Sequence, residues 1–345
     1  MSKVLAIRFS ALGDIAMAIP VLVSAARLSP DDEFTVLSRD YVAPLFAGLA
    51  PNIRFHGVDL KRQRYAGLTG MMNLYRDLKP EGFDKVVDLH DVLRTKQLRT
   101  FFSLGGAKVS HIDKERSRRR ALVRSSNKRL VPLKTSFQRY ADAFAKVGVA
   151  TDEKFVSIFE AGRPDAPQLL PFVEGLRGRH WIGVAPFTTH RGKELPLPTT
   201  RQVVEMLAAS ETNHVFLFGA GKHEVATLSE WEREIANTTS VAGKLPLGDE
   251  LLLMSKLDCM VSMDSANMHL ASLVATPVVS VWGATHPYCG FFGWKQPMDN
   301  AVQLDMECRP CSIFGQKECR FGTYDCLARM TPEMLLDKIR KVIKV

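Results

Sequence analysis

Short apolar runs rich in β-branched residues alternate along the chain with longer segments whose apolar positions recur at helical spacing. This alternation predicts a parallel sheet flanked by helices. Lys3–Phe9 is apolar apart from its ends and predicts a buried strand; Ile15–Leu28 follows with a wide apolar helical face that stops before Pro30. Glu33–Leu37 and Lys85–Leu89 predict two more strands, the second running into His90 and Asp91. Ser136–Val147 predicts a helix. Gly162–Pro171 then brings three prolines and little periodicity, which marks a linker.

A second set of the same kind begins beyond it. Trp181–Ala185, Val215–Phe218, Cys259–Ser262 and Pro277–Trp282 predict buried strands. Helices are expected at Thr199–Ala209, Leu247–Lys256, Ala266–Leu273 and Pro332–Val345. Two such halves predict an α/β protein of two Rossmann-like domains, 1–165 and 166–345, with the last helix a candidate to pack back on the first. A chain of 345 residues suits two cores better than one. Ligands of such sheets bind beyond the carboxyl ends of the strands, so the loops that follow strands are where chemistry is sought.

Composition narrows the class. Hydrophobic residues at 46% and charged residues at 24% are ordinary for a globular protein, and no apolar run is long enough to span a membrane. The apolar N-terminus is broken by Arg8 and Asp14, which suits a strand and helix better than a signal peptide and predicts a cytoplasmic protein. The net charge of +9 favours phosphate-bearing partners. Its basic residues cluster at Lys61, Arg62 and Arg64, at Arg94, Lys96 and Arg99, and at Arg116 to Arg120. No aromatic-interleaved basic strand or recognition helix accompanies them, so an anionic acceptor is expected rather than nucleic acid. Four of the six cysteines fall at Cys308, Cys311, Cys319 and Cys326. The first pair has metal-ligand spacing, so a structural zinc is one expectation and a loop of reduced thiols the other.

Four loops carry candidate chemistry. In Ser10-Ala-Leu-Gly-Asp14, Gly13 permits a tight turn into a helix; Asp14 suits a first-turn carboxylate, and equally a base that accepts a proton from a sugar hydroxyl. Thr188, Thr189, Arg191 and Lys193 would suit a diphosphate, although an exposed polar loop would look the same. Gly219-Ala-Gly-Lys-His-Glu224 is neither a Walker A loop nor a dinucleotide fingerprint, since Phe216, His223 and Glu224 stand at required positions. It remains a glycine turn in which Glu224 could hold ribose hydroxyls. Asp264 and Ser265 precede a helix whose free N–H groups form an anion site, with His269 one turn further on.

In this order, RFSALGDIAMAIPVL, TTHRGK and MDSANMHLASLVATPVVSVWGATHP resemble the ADP-heptose:lipopolysaccharide heptosyltransferases of glycosyltransferase family 9. The resemblance covers nearly the whole chain, and the cysteine cluster is similar to one found in part of the family. It implies a GT-B fold, with parallel sheets facing a central cleft and an inverting reaction that needs no cofactor. Asp14 matches the catalytic base. Thr188, Thr189 and Lys193 match the donor-phosphate residues, Glu224 the ribose ligand, and Asp264, Ser265 and His269 the segment around the donor phosphates and sugar. Ala266 departs from the glycine common there. Ser10, Arg62, Arg64, Arg94 and Arg120 are then candidates for the acceptor, a lipopolysaccharide core reached at the inner face of the membrane. Two alternatives are a transferase of another nucleotide sugar and a non-catalytic binder of anionic glycan or nucleic acid.

Overall fold

The structure, a computed structural model, describes residues 1–67 and 69–344. The chain forms two compact units, Met1–Lys114 with Lys134–Ile158, and Glu115–Leu133 with Phe159–Val345.

In chain order the first half runs β1 (Lys3–Ile7), α1 (Leu12–Leu28), β2 (Glu33–Ser38), β3 (Ile53–Gly57), α2 (Gly70–Leu78), β4 (Lys85–Asp88), α3 (Leu93–Leu104) and β5 (Lys108–His111). Next come α4 (Arg116–Leu122), which belongs to the second unit, and α5 (Ser136–Ala145), which returns to the first. The five strands are parallel in the order β3-β2-β1-β4-β5. Central β1 is buried from Val4 to Ile7, as both faces of a covered parallel sheet require. The unforeseen strands β3 and β5 lie at the edges, where one side of the strand meets solvent and apolar alternation fades.

The second unit contains α6 (Leu170–Val173), β6 (His180–Ala185), α7 (Leu197–Ala208), β7 (Asn213–Leu217), α8 (Lys222–Glu234), β8 (Thr238–Ser240) and α9 (Leu247–Met254). It continues with β9 (Cys259–Met263), α10 (Ala266–Leu273), β10 (Val278–Val281), β11 (Ala301–Val302), α11 (Asp325–Ala328) and α12 (Pro332–Ile343). Its sheet order is β11-β10-β9-β6-β7-β8, again parallel throughout. The last helix buries Leu335, Leu336 and Ile339 in the core of this unit, beside Val203 and Val279. Among the described residues, no helix is long and apolar enough to cross a membrane.

Both sheets have the doubly wound order, with the first strand of the unit in the middle. The winding reverses between β1 and β4 in the first unit and between β6 and β9 in the second. The loops leaving those neighbouring strands diverge there and leave a crevice.

The units part at Ile158 and Phe159, and residues 115–133 cross to the second unit. Their anchors lie far along the chain. Leu133 N donates to Tyr288 O at 3.0 Å, and Lys128 Nζ donates to the carbonyls of Glu307 and Arg309, each at 2.9 Å. The Arg119 guanidinium lies 5.6 Å from the centre of the Phe291 ring and 5.4 Å from that of Phe314.

Candidate active site

In the second unit the loops after β6 and β9 meet at the reversal point. Lys193, at the end of the short 3-10 turn Arg191–Lys193, places Nζ 3.2 Å from Asp264 Oδ2. Both groups are withdrawn from water, with side-chain exposures of 17% and 4%. Thr285, from the loop after β10, donates its hydroxyl to the same Asp264 oxygen at 2.8 Å. The carboxylate therefore has a cation and a hydroxyl fixed on one oxygen, as a buried charge requires.

The loop around Lys193 is tightly packed. Gly192 O accepts from Ala284 N at 2.7 Å, and a Cβ on Gly192 would stand 2.8 Å from Gly315 O. Gly315 has φ +79 and its Cα faces the Lys193 side chain, so only glycine fits both the backbone and the space. Arg309, 4% exposed, donates to the carbonyls of Gly283, Leu304 and Thr285. It holds in place the segment that carries Ala284 and Thr285.

The other donor candidates fall around this pair. Thr188 uses its hydroxyl within the loop, donating to His190 O at 2.8 Å, while its N–H meets Glu194. Thr189 is exposed. Ser265 is the N-cap of α10 but makes no side-chain cap bond, so its hydroxyl leaves the first-turn amides available to an anion; it lies 3.2 Å from Ser262 Oγ instead. His269 is 6% exposed on the same helix. Glu224 accepts from Ala220 N at 2.7 Å through Oε2, a first-turn carboxylate on α8.

The first unit repeats the arrangement with different chemistry. Asp14 Oδ2 sits 2.7 Å from Arg8 Nη2 and 3.3 Å from Ala11 N, in the first turn of α1. It thus fills the first-turn role expected of it, and its side chain remains 30% exposed. Arg8 also donates to Leu89 O beyond β4 and lies 5.6 Å from the centre of the Tyr140 ring. Burial works against the Arg8 charge, but Tyr140 and Asp14 outweigh it and hold the guanidinium protonated.

His90, in the turn after β4, brings Nε2 to 3.3 Å from Ser10 Oγ. That turn is set by Asp88, which accepts from the N–H groups of His90 and Asp91 and from Arg99. Burial, then the charges of Arg8 and Lys114, push the His90 imidazole down to about 4, so it is neutral at physiological pH.

The basic residues separate into two groups. Arg64 is engaged by Asp77, Lys96 and Arg99 by Asp91, and Arg62 lies 4.0 Å from Asp59. Among the described residues, Arg94 and Arg120 have no ion pair, and Arg120 belongs to the second unit. Arg8, His90, Thr285 and Arg309 were not singled out for the site from sequence. A cation ending an otherwise apolar strand was the available signal for Arg8, since it demands a buried partner.

Cys308, Cys311, Cys319 and Cys326, expected either to hold a structural zinc or to form a loop of reduced thiols, come together in the second unit. Among the described residues, no three His, Cys, Asp or Glu side chains form a group that could hold a metal ion. The four cysteines line one cavity of about 390 Å³ and are unpaired by disulfides. Cys326 is packed in the apolar core, where burial pushes its thiol up to about 11, and Cys311 Sγ lies 3.8 Å from Ala284 O.

Comparison with known proteins bears on this geometry. The family model described as glycosyltransferase family 9 (heptosyltransferase) matches residues 71–324. The lipooligosaccharide heptosyltransferase 2 of Campylobacter jejuni is 23% identical over 137 residues, 39% of this chain and 42% of that one. The lipopolysaccharide core heptosyltransferase OpsX of Haemophilus influenzae is 24% identical over 289 residues, 81% of this chain and 79% of that one. A glycosyl transferase family 9 structure from Veillonella parvula superposes with a TM-score of 0.75 at 16% identity, covering 99% of this chain and 97% of that one. The E. coli heptosyltransferase WaaC with ADP-2-deoxy-2-fluoro heptose gives a TM-score of 0.68 at 18% identity, over 98% and 99%. These structures share the fold, two Rossmann-like domains of the GT-B type.

Proposed function

The chain belongs to glycosyltransferase family 9, the heptosyltransferases, and on that premise we propose that it moves a heptose from ADP-heptose to a lipopolysaccharide core acceptor. The reaction is a single displacement with inversion. Asp14 accepts the proton of an acceptor hydroxyl, whose oxygen forms the new bond to the anomeric carbon as the bond to the diphosphate breaks. The transition state has oxocarbenium character, and negative charge grows on the departing ADP. Lys193 and the first-turn amides of α10 stabilise that charge, Thr188 and Thr189 border the diphosphate, Glu224 takes the ribose, and Ser265 and His269 adjoin the sugar. Ser10, Arg62, Arg64, Arg94 and Arg120 serve the acceptor. No step requires a metal or cofactor. The lipid-linked acceptor implies a cytoplasmic enzyme that visits the inner face of the membrane.

The observation that carries the donor half is the Lys193–Asp264 pair beside the uncapped start of α10. It supplies a cation and free N–H groups at one reversal point, which is what a diphosphate needs. The relatives add that one is named a lipopolysaccharide core heptosyltransferase and that a solved structure of the same fold is described with an ADP-heptose analogue. Calorimetric titration of ADP, UDP, GDP and CMP tests the donor. Preference for ADP, weakened in Lys193→Ala, is expected. Preference for another nucleotide would overturn the donor assignment.

A further inference from the structure

We propose that Arg120, Arg124 and Lys317 form a subsite for a phosphate group on the acceptor glycan. The inference rests on the reading of the chain as a core-glycan transferase and extends it to a second anion site, separate from the donor loops.

Residues 115–133 cross to the second unit, and this brings Arg120 and Arg124 beside Lys317, which is remote in sequence. The three cations line one open pocket of about 640 Å³, together with the hydroxyl-bearing Ser117, Ser125 and Ser126. No carboxylate lines it. Among the described residues none of the three cations has an ion pair, whereas the neighbouring Arg118 is engaged by Glu115 and Arg119 is spent on Phe291 and Phe314. Three like charges thus face one pocket. The segment that carries Arg120 and Arg124 is tied to the second unit outside the pocket, by Leu133 on Tyr288 and by Lys128 on the carbonyls of Glu307 and Arg309. A pocket lined by three cations and no carboxylate favours an anion.

The chemistry favours phosphate. Two guanidinium groups offer paired donors to phosphate oxygens, the ammonium adds charge, and hydroxyls can complete the shell. No aromatic ring lines the pocket to stack a base, which disfavours a nucleic-acid strand. The same chemistry would recognise a phospholipid headgroup, so the test separates the two sources.

The experiment is calorimetric titration of phosphorylated core oligosaccharide, and of the same oligosaccharide after phosphatase treatment, into wild type and the Arg124→Gln/Lys317→Gln double variant. Both residues are exposed, so the variant is expected to fold. Wild type should bind the phosphorylated form about tenfold more tightly, the scale of a few exposed charge contacts, and the variant should lose that preference. Titration of ADP in parallel should give the same Kd in both proteins. Absence of ADP binding would count against the donor reading and leave the phosphate comparison standing. Sedimentation with phosphatidylglycerol vesicles supplies the second arm. A loss confined to vesicle binding assigns the phosphate to a lipid headgroup. No change in either arm overturns the subsite.

Discussion

Lys193 and Asp264 meet at 3.2 Å across two loops that leave adjacent strands of one sheet, β6 and β9. The pair joins the two stretches of the second unit that hold most of the donor candidates. Lys193→Ala removes a phosphate partner and also leaves a buried carboxylate without its cation, a change that costs on the order of 3–5 kcal/mol. Both a weaker affinity for ADP and a lower Tm are expected. An unchanged Tm would show that Asp264 does not depend on Lys193.

Thr285 reaches the same carboxylate, and Arg309 holds the carbonyl of Thr285. Thr285→Val keeps the shape and removes the hydroxyl. Loss of one hydrogen bond to a buried charge corresponds to about 1.5–3 kcal/mol, so ADP should bind roughly tenfold more weakly or worse. Arg309→Lys, which cannot reach three carbonyls at once, should move the Kd for ADP in the same direction. A purely structural role for either residue would lower Tm and leave the Kd of the folded fraction unchanged.

Gly315 faces the Lys193 side chain at φ +79. Gly315→Ala must displace the lysine or the loop, and affinity for ADP is expected to fall with little change in far-UV circular dichroism. Wild-type affinity in this variant would mean that the loop yields without moving Lys193.

Asp14→Asn should reduce kcat by a factor of about 10²–10⁴, the usual contribution of a positioned general base, with the Kd for ADP unchanged. Equal turnover in the variant would remove the base assignment. Arg8→Gln provides the companion measurement, since it deletes the partner 2.7 Å from Asp14. A shift of the pH–rate profile in that variant is expected if Asp14 is the group that titrates.

His90 is held down to about 4 by burial and by the charges of Arg8 and Lys114. A histidine depressed in the folded state contributes stability above its ordinary value of about 6.5, and that contribution is lost as pH falls toward 4. Stability should therefore fall over that window. His214 and His286 are also pushed down to about 4, so His90→Gln should make the slope shallower without abolishing it. Urea denaturation at pH 7.5, 6 and 5 measures this.

Much of the fold was legible. Central strands such as Val4–Ile7 are buried on both faces and so read as unbroken apolar runs. The helix Ala266–Leu273 was bounded correctly because Asp264 and Ser265 mark its start. Edge strands Ile53–Gly57 and Lys108–His111 lacked that signature. The loops were legible too, since they follow strands. Their internal bonds were not. Thr285 on Asp264, His90 near Ser10 and Arg309 behind Gly283 are meetings between separate segments that no local spacing encodes. The spacing of Cys308 and Cys311 was legible, whereas the packing of Cys326 into the apolar core was not.

The detour of residues 115–133 has a consequence for synthesis and dissection. As the chain emerges from the ribosome, the first unit can close with α5 while the basic segment waits for Tyr288, Phe291 and Phe314 to be made. Until then Arg119 has neither aromatic ring to cover, and Leu122, 1% exposed when folded, is open to solvent. A cut at Ile158 would likewise release a C-terminal fragment missing a piece of its own surface. That fragment should be less soluble than one to which residues 115–133 are added back as a separate peptide.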